Sequence, residues 1–255
     1  MFLTTEIDLY KSLLNLKKRY KIKGIKAEFE AEGSSNENIS KLRALTNKVD
    51  VELHTKIGGV EAINDIYSSI ECGVDGIIAP MVETGFALVK FIESIKKLNL
   101  KKKPFLSINI ESETGLKNID DILKRSNNFI NNITVGRSDL SMSYFNKKID
   151  QNSQLIEKNI FIISKKAKKF NLSCTVGGGV NKQTVDLYKN NRNISLVKKI
   201  ETRKVIFEKN IFLKDYKPLY NAVDFETKYI LYKKEILDLK MKSEISRLSK
   251  LVLRK

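Results

Sequence analysis

The stretch PFLSINIESETGLKNIDDILKRSNNFINNITVGRSDLS, residues 104–141, decides the fold. Residues 105–110 are an apolar, β-rich run that stops at Glu111, and residues 133–135 are a second run that ends in Gly136-Arg137-Ser138-Asp139. Between them Leu116, Ile119, Ile122 and Leu123 carry helical spacing. Strand, helix, strand in this order makes two parallel neighbours whose C-terminal ends lie side by side, the edge at which α/β proteins bind ligands. Glu111 and Asp139 should then project from adjacent strand ends. Two converging carboxylates suit a hard divalent cation of the magnesium type, which takes oxygen ligands and leaves positions open for substrate. Taken singly, either carboxylate is equally well read as a helix cap or the partner of a lysine.

Outward from this unit the same alternation continues. Strand-like runs at 24–29, 51–54, 76–79, 172–176 and 194–200 join the two above, and helical patterns separate them. Seven strands alternating with helices argue for a parallel sheet with helices outside, and at this length a (β/α)8 TIM-type barrel fits best. Either the eighth strand lies in the first 23 residues or the barrel is modified. An open doubly wound sheet is the second choice, but no G-x-G-x-x-G follows the first strand and no P-loop pattern occurs. Residues 1–208 read as the barrel domain and 209–255 as a C-terminal helical extension. Within the extension, residues 219–253 read as one helix on the order of 50 Å long. Its apolar stripe exceeds what a barrel wall needs, so part of it is expected to meet another subunit in a homo-oligomer.

The chain has 255 residues and a formal net charge of +17, from 47 Lys and Arg against 30 Asp and Glu. Such a charge suggests nucleic acid, yet the basic residues are spread throughout and are not interleaved with aromatics as a stacking surface requires. A solvated lysine-rich surface that helps attract anionic substrates is the better account, with no nucleic-acid partner expected. The two cysteines, Cys72 and Cys174, read as buried free thiols of a reducing compartment. No uncharged run approaches membrane-spanning length, and Glu6 and Asp8 make the first residues unlike a signal peptide. A cytoplasmic protein without membrane contact is expected.

The residues after each strand form one series of charges: Glu30 and Glu32, Lys56, Glu83, Glu111, Arg137 and Asp139, then Glu201 and Arg203. Gly58-Gly59 and Gly177 to Gly179 would allow backbone N–H groups to approach an anion, although glycine runs are also common in ordinary turns.

The segments I-E-S-E-T-G (110–115), L-K-N-I-D-D-I (116–122), V-G-R-S-D-L-S (135–141) and G-V-D-G-I-I-A-P-M-V-E (73–83) resemble the aldolase/citrate lyase β-subunit family of the phosphoenolpyruvate/pyruvate-binding barrel superfamily. The resemblance covers most of residues 24–203. It implies that Glu111 and Asp139 bind a divalent metal, Mg2+ or Mn2+, and that Asn109 falls where members often have a glutamine near that metal. It implies further that the metal holds pyruvate or a related 2-oxo acid and that Gly136 and Arg137 lie against the substrate carboxylate. Two departures stand out. Lys56 takes the place of an arginine that polarises the keto group, and Glu32-Gly33 stands where aldolases have a glutamate-histidine pair. The sole histidine, His54, reads as packed in the barrel. Glu30, Glu32, Lys56 and metal-bound water are the candidates for the missing base, Arg203 and Glu83 are candidates for substrate contact, and Arg203 is equally well read as the partner of Glu201.

The activity implied is a metal-dependent carbon–carbon lyase or aldolase. The alternatives are other enolate chemistry, on acyl-CoA thioesters or phosphoenolpyruvate, and a catalytically silent metabolite-binding barrel.

Overall fold

The computed structural model of the chain describes residues 3–126, 128–145 and 148–254. The first helix, α1 (Thr4–Tyr20), leads into β1 (Gly24–Glu28), α2 (Asn36–Val49), β2 (Glu52–Lys56), α3 (Ile63–Glu71), β3 (Gly76–Ala79), α4 (Gly85–Lys96) and β4 (Phe105–Ile110). Two short helices follow, α5 (Glu113–Lys117) and α6 (Ile119–Lys124), where the sequence had suggested one; they part at Asn118. Then come β5 (Asn132–Gly136), α7 (Arg137–Met142), α8 (Gln154–Lys169), β6 (Ser173–Gly177) and α9 (Lys182–Tyr188). The chain ends with β7 (Lys199–Glu201), β8 (Val205–Glu208), α10 (Lys209–Phe212) and α11 (Lys217–Val252).

The eight strands close into a barrel in sequence order. Seven run parallel, and the eighth runs antiparallel to both neighbours, pairing Ile200 with Phe207 and Gly24 with Ile206. The barrel is therefore of the modified kind, and the eighth strand follows the seventh instead of lying among the first 23 residues. The seventh strand is also shorter than its apolar pattern implied. Asn191 caps a short 3-10 turn over Arg192–Ile194, which takes those residues out of the sheet.

Alternate residues of each strand face opposite ways. Those facing the helices form the apolar core, among them Ile25, Leu53, Ile77, Ile108, Ile133, Val176 and Ile200, all without solvent exposure. The barrel interior is polar instead. Asn132 Nδ2 donates to Ser107 Oγ at 2.8 Å, Thr175 Oγ1 donates to Asn132 Oδ1 at 3.0 Å, and His54 Nε2 meets Glu52 Oε2 at 2.9 Å. Buried polar groups persist when they are paired with one another, and this floor is so paired.

Closure at β8 depends on charges. Lys26 Nζ, on β1, lies 2.9 Å from Glu201 Oε1 on β7 and 3.2 Å from Glu28 Oε1, bridging the strands that flank β8. Burial by itself would lower the pKa of this lysine. The carboxylates of Glu201 and Glu28 more than reverse that and raise it above its ordinary value. Between β7 and β8 a tight turn has Thr202 N–H donating to the Val205 carbonyl at 2.9 Å. In that turn Arg203 is half exposed, whereas Lys204 is buried with Nζ 2.7 Å from Glu32 Oε2 and 4.5 Å above the Tyr229 ring.

The helix α11 lies antiparallel to α1. Asn15 Nδ2 donates to Asn221 Oδ1 at 2.8 Å, Ser12 Oγ to Asp224 Oδ2 at 2.9 Å, and Thr5 to Glu235. The buried residues of α11 end at Tyr232. Beyond them Leu237, Met241, Ile245, Leu248 and Val252 form a mostly exposed apolar stripe. Of the two cysteines, both free, Cys174 is buried and Cys72 is half-buried, so only the first fits the reading of both as buried.

Replacing Lys26 by Met leaves Glu201 buried without its cation and removes the nearest of three from Glu28. Removing one partner of a buried pair costs about 3–5 kcal/mol, so urea denaturation should show a loss of that order. Because the folded pKa of Lys26 lies above the unfolded one, its contribution is complete below the unfolded value of about 10.4 and is lost as pH rises through the folded value. The Cys174 thiol is pushed up by burial to about 12. At pH 8 a thiol reagent should accordingly label one cysteine of the native protein, Cys72, and two after unfolding.

Candidate functional site

A cavity of about 260 Å3 opens at the C-terminal ends of the parallel strands. Lys26 and Glu28 reach it from β1, Lys56 from β2, Asn109 and Glu111 from β4 and just beyond, and Gly136 and Asp139 from β5 and α7. Glu201 and Arg203 complete the wall. A larger cavity of about 720 Å3 lies at the opposite end, among Lys17, Lys18, Lys21 and Asp50 where α1 and α2 finish. Basic side chains there meet the negative ends of those helices, and Lys17 Nζ bonds the Asp50 carbonyl. The smaller cavity holds the convergent carboxylates and is the candidate site.

Glu111 is buried at its centre. Its Oε1 accepts the Met81 N–H at 2.9 Å and its Oε2 accepts from Asn109 Nδ2 at 3.0 Å. Burial raises its pKa, with Asp139 adding to the rise, while Lys56, the Met81 N–H and Asn109 act against it. The carboxylate lies directly against Gly136, where any side chain would overlap it. Gly136 is thus required by close approach. Asn109 Oδ1 is buried and lacks a hydrogen-bond partner. An acceptor left in this state beside two carboxylates is what a cation site offers. Among the described residues no three His, Cys, Asp or Glu side chains form a metal-holding group. A magnesium-type ion is commonly held by only one or two carboxylates, the rest of its shell coming from substrate and water. Glu111, Asp139 and the Asn109 amide oxygen fit that requirement.

The cations are arranged opposite. Lys56, the last residue of β2, has its Nζ 3.5 Å from Glu28 Oε2. Arg203 reaches in from the β7–β8 turn, its guanidinium 4.0 Å from Glu28 Oε2 and 3.9 Å from Glu32 Oε1. Burial acts to raise the pKa of Glu28, but Lys26, Lys56 and Arg203 together hold it below the ordinary carboxylate range. Arg203 faces Glu28 and Glu32 and not Glu201, which is bound to Lys26.

Several expected residues lie elsewhere. Arg137 is fully buried and turned away from the cavity. Its guanidinium donates to the carbonyls of Gly177 at 3.1 Å and Gly178 at 2.7 Å and to Asn152 Oδ1 at 2.8 Å, and it stacks on Tyr188. Its donors are thus engaged in holding the β6–α9 loop, which corrects the expectation that Arg137 contacts substrate. The glycine turn, by contrast, does line the cavity through Gly178 and Gly179, and it is also closely packed: Gly178 has φ +79°, and a Cβ there would come within 2.7 Å of the backbone nitrogens of Arg137 and Ser138. Gly58 gives its N–H to Asp65 at 2.7 Å, so it offers no free donor to an anion. Glu30 lies outside the cavity beside Gly58, and Glu32 sits behind the wall bound to Lys204. Glu83 accepts from Ser112 and lines a neighbouring cavity. His54 is buried in the barrel floor against Phe105, as its position in the strand suggested.

Lys26 and Glu28 were missed by a reading confined to residues past the strand ends. The available signal was G-I-K-A-E itself, in which charges alternate with apolar residues along a strand flanked by buried ones.

The model of the HpcH/HpaI aldolase/citrate lyase family matches residues 41–177. Among solved structures, an HpcH/HpaI aldolase from Desulfitobacterium hafniense aligns with TM-score 0.58 at 12% identity, covering 72% of this chain and 78% of that one. A variant of the citrate synthase SbnG aligns with TM-score 0.55 at 14% identity over 86% and 89% of the two chains. RipC from Yersinia pestis aligns with TM-score 0.53, again at 14% identity, over 80% and 87%. These likenesses are of fold. A search of curated protein sequences gave no match. The matched span takes in more than half of the chain and includes Lys56, Glu111 and Asp139, and on this ground the protein belongs to the HpcH/HpaI aldolase/citrate lyase family.

Proposed function

We propose that the protein is a divalent-metal-dependent carbon–carbon lyase that cleaves or forms a bond next to a pyruvate-like 2-oxo acid. The observation that carries this reading is the set Glu111, Asp139 and orphaned Asn109 Oδ1 facing Lys56 across one cavity. Bound there, Mg2+ or Mn2+ would supply positive charge to the keto and carboxylate oxygens as the enolate develops.

The chain's own residues do the rest. Lys56 stands where a carbonyl oxygen gains negative charge, as a point charge without the bidentate fork of an arginine. Arg203, on a rigid two-residue turn, is placed to hold a distal carboxylate or other anionic group of the substrate. Of the carboxylates, Glu28 replaces Glu30 and Glu32 as the group placed to exchange a proton with the substrate hydroxyl, since it alone of the three lines the cavity. When the carbon–carbon bond breaks, the hydroxyl proton passes to the Glu28 carboxylate and the bonding electrons pass to the 2-oxo acid.

A second reading, other chemistry through the same enolate such as acyl-CoA thioester cleavage, is favoured by one observation. The only histidine is bound to Glu52 in the floor and does not line the cavity. We also place the protein in the cytoplasm, on the strength of its two free thiols, and as a homo-oligomer, on the strength of the exposed stripe at the end of α11. No helix among the described residues is long and apolar enough to cross a membrane.

A panel of 2-hydroxy and 4-hydroxy-2-oxo acids and acyl-CoA esters, assayed for pyruvate release, tests the reaction. Activity should vanish with EDTA and return with Mg2+; turnover indifferent to chelation would remove the metal assignment. Asp139→Asn should weaken binding of Mn2+ with oxalate by about 10- to 100-fold in isothermal titration, a loss typical of a disturbed metal site. Lys56→Ala should lower kcat by about 100- to 1,000-fold, the range for loss of one charge-stabilising group, while leaving Mn2+ affinity within a few-fold.

A further inference from the structure

A second cavity, of about 340 Å3, adjoins the first and shares Asp139 with it. Met81, Met142 and Phe145 line it and are 52%, 65% and 93% exposed. Large apolar side chains exposed singly are ordinary, but three around one concavity mark a place where something apolar is meant to sit. Most of the polar groups nearby are already engaged. Ser112 Oγ donates to the Glu83 carboxylate, and Ser143 Oγ donates to the Leu140 carbonyl at 2.7 Å while accepting the Glu113 N–H at 2.8 Å. Glu113 pairs with Lys117 at 2.9 Å. Apart from the Thr114 hydroxyl and the shared Asp139 carboxylate, what the lining offers a ligand is two polarizable thioethers and a phenyl ring.

Met81 joins the two cavities. Its φ of 50° is left-handed, a conformation uncommon and strained for any residue with a side chain. That conformation lets its N–H reach Glu111 Oε1 while its side chain lines the outer cavity. Strain kept at the junction of two cavities is characteristic of a functional position.

We propose that this second cavity receives the apolar chain of the other carbonyl compound, the one joined to or released from the 2-oxo acid. The proposal rests on the lyase reading of the neighbouring cavity. With Asp139 as the common wall, a chain seated here has its carbonyl carbon at the junction, facing the 2-oxo acid. A polyhydroxylated aldehyde is disfavoured, because its several hydroxyls would leave water for a lining whose serines and Glu113 are already bonded.

Methyl-13C methionine NMR tests this. The chain has four methionines, and Met241, far along α11, serves as the internal control. Hexanamide, uncharged and unreactive towards lysine, should shift the Met81 and Met142 methyl signals saturably, with assignments from Met81→Leu and Met142→Leu. Met241 should not move, and glycerol should shift none of them. Met142→Ser combined with Phe145→Ser should weaken hexanamide binding by at least about tenfold, the worth of burying part of one such side chain. Absence of a saturable shift, or an equal shift at Met241, overturns the assignment of this cavity. Titration with Mg2+ and oxalate reads the first cavity separately. Oxalate binding without hexanamide shifts overturns the apolar subsite alone. Hexanamide shifts without oxalate binding overturn the lyase reading and, with it, the role given to the chain.

Discussion

A lysine buried among carboxylates holds this barrel shut. Lys26 projects from the first strand and meets Glu201 of the seventh across the face of the eighth. The eighth strand has only four residues, so few backbone hydrogen bonds secure it to either neighbour. A buried ion pair contributes little net stability compared with apolar packing, yet it penalises severely any arrangement that separates its members. Its effect is therefore on register: only one alignment of the first and seventh strands satisfies Lys26, Glu28 and Glu201 together.

The reversed direction of the eighth strand alters the rim where the ligand cavity lies. A parallel eighth strand would need a long crossover from the seventh; an antiparallel one needs only the turn at Thr202 to Val205. That turn is short and hydrogen-bonded, and it carries a cation on each side of the wall. Arg203 faces the cavity, and Lys204 is anchored behind it by Glu32 and Tyr229. Cationic groups on a stiff turn hold their positions better than groups on a loop that must close. The polar floor below them prevents the interior from collapsing around an apolar plug, leaving Lys26, Glu28 and Lys56 facing the space above.

Alternation of strand and helix is an effect of local periodicity, and so the parallel strands and the carboxylates at their ends were legible from residues alone. The eighth strand was not. V-I-F-E follows E-T-R-K without an intervening helix, and an expectation built on strand-helix repetition has no place for it. Arg137 shows a different limit. Sequence position puts it at a strand end, but whether a long side chain turns up into a cavity or back beneath a loop depends on partners remote in sequence. Here those partners are Gly177, Gly178 and Asn152. The pairing of Lys26 with Glu201 spans 175 positions and leaves no local trace beyond two charges in a buried strand. Glu111 and Asp139 fall inside the segment that carries the family match, and their neighbourhood with Asn109 and Gly136 follows from strand register.

The pairing of the first helix with the last also orders events in time. Thr5 bonds to Glu235, a separation of 230 residues. At about 5–20 residues per second, a ribosome delivers that partner on the order of ten to fifty seconds after the first helix emerges. Throughout that interval the surface of the first helix that will meet the last lies uncovered, available to chaperones or to other nascent chains. Loop closure over so long a span is slow as well as late. The first helix is thus fully covered only after every strand of the barrel has been made, because Asn221, Asp224 and Glu235 all follow the eighth strand.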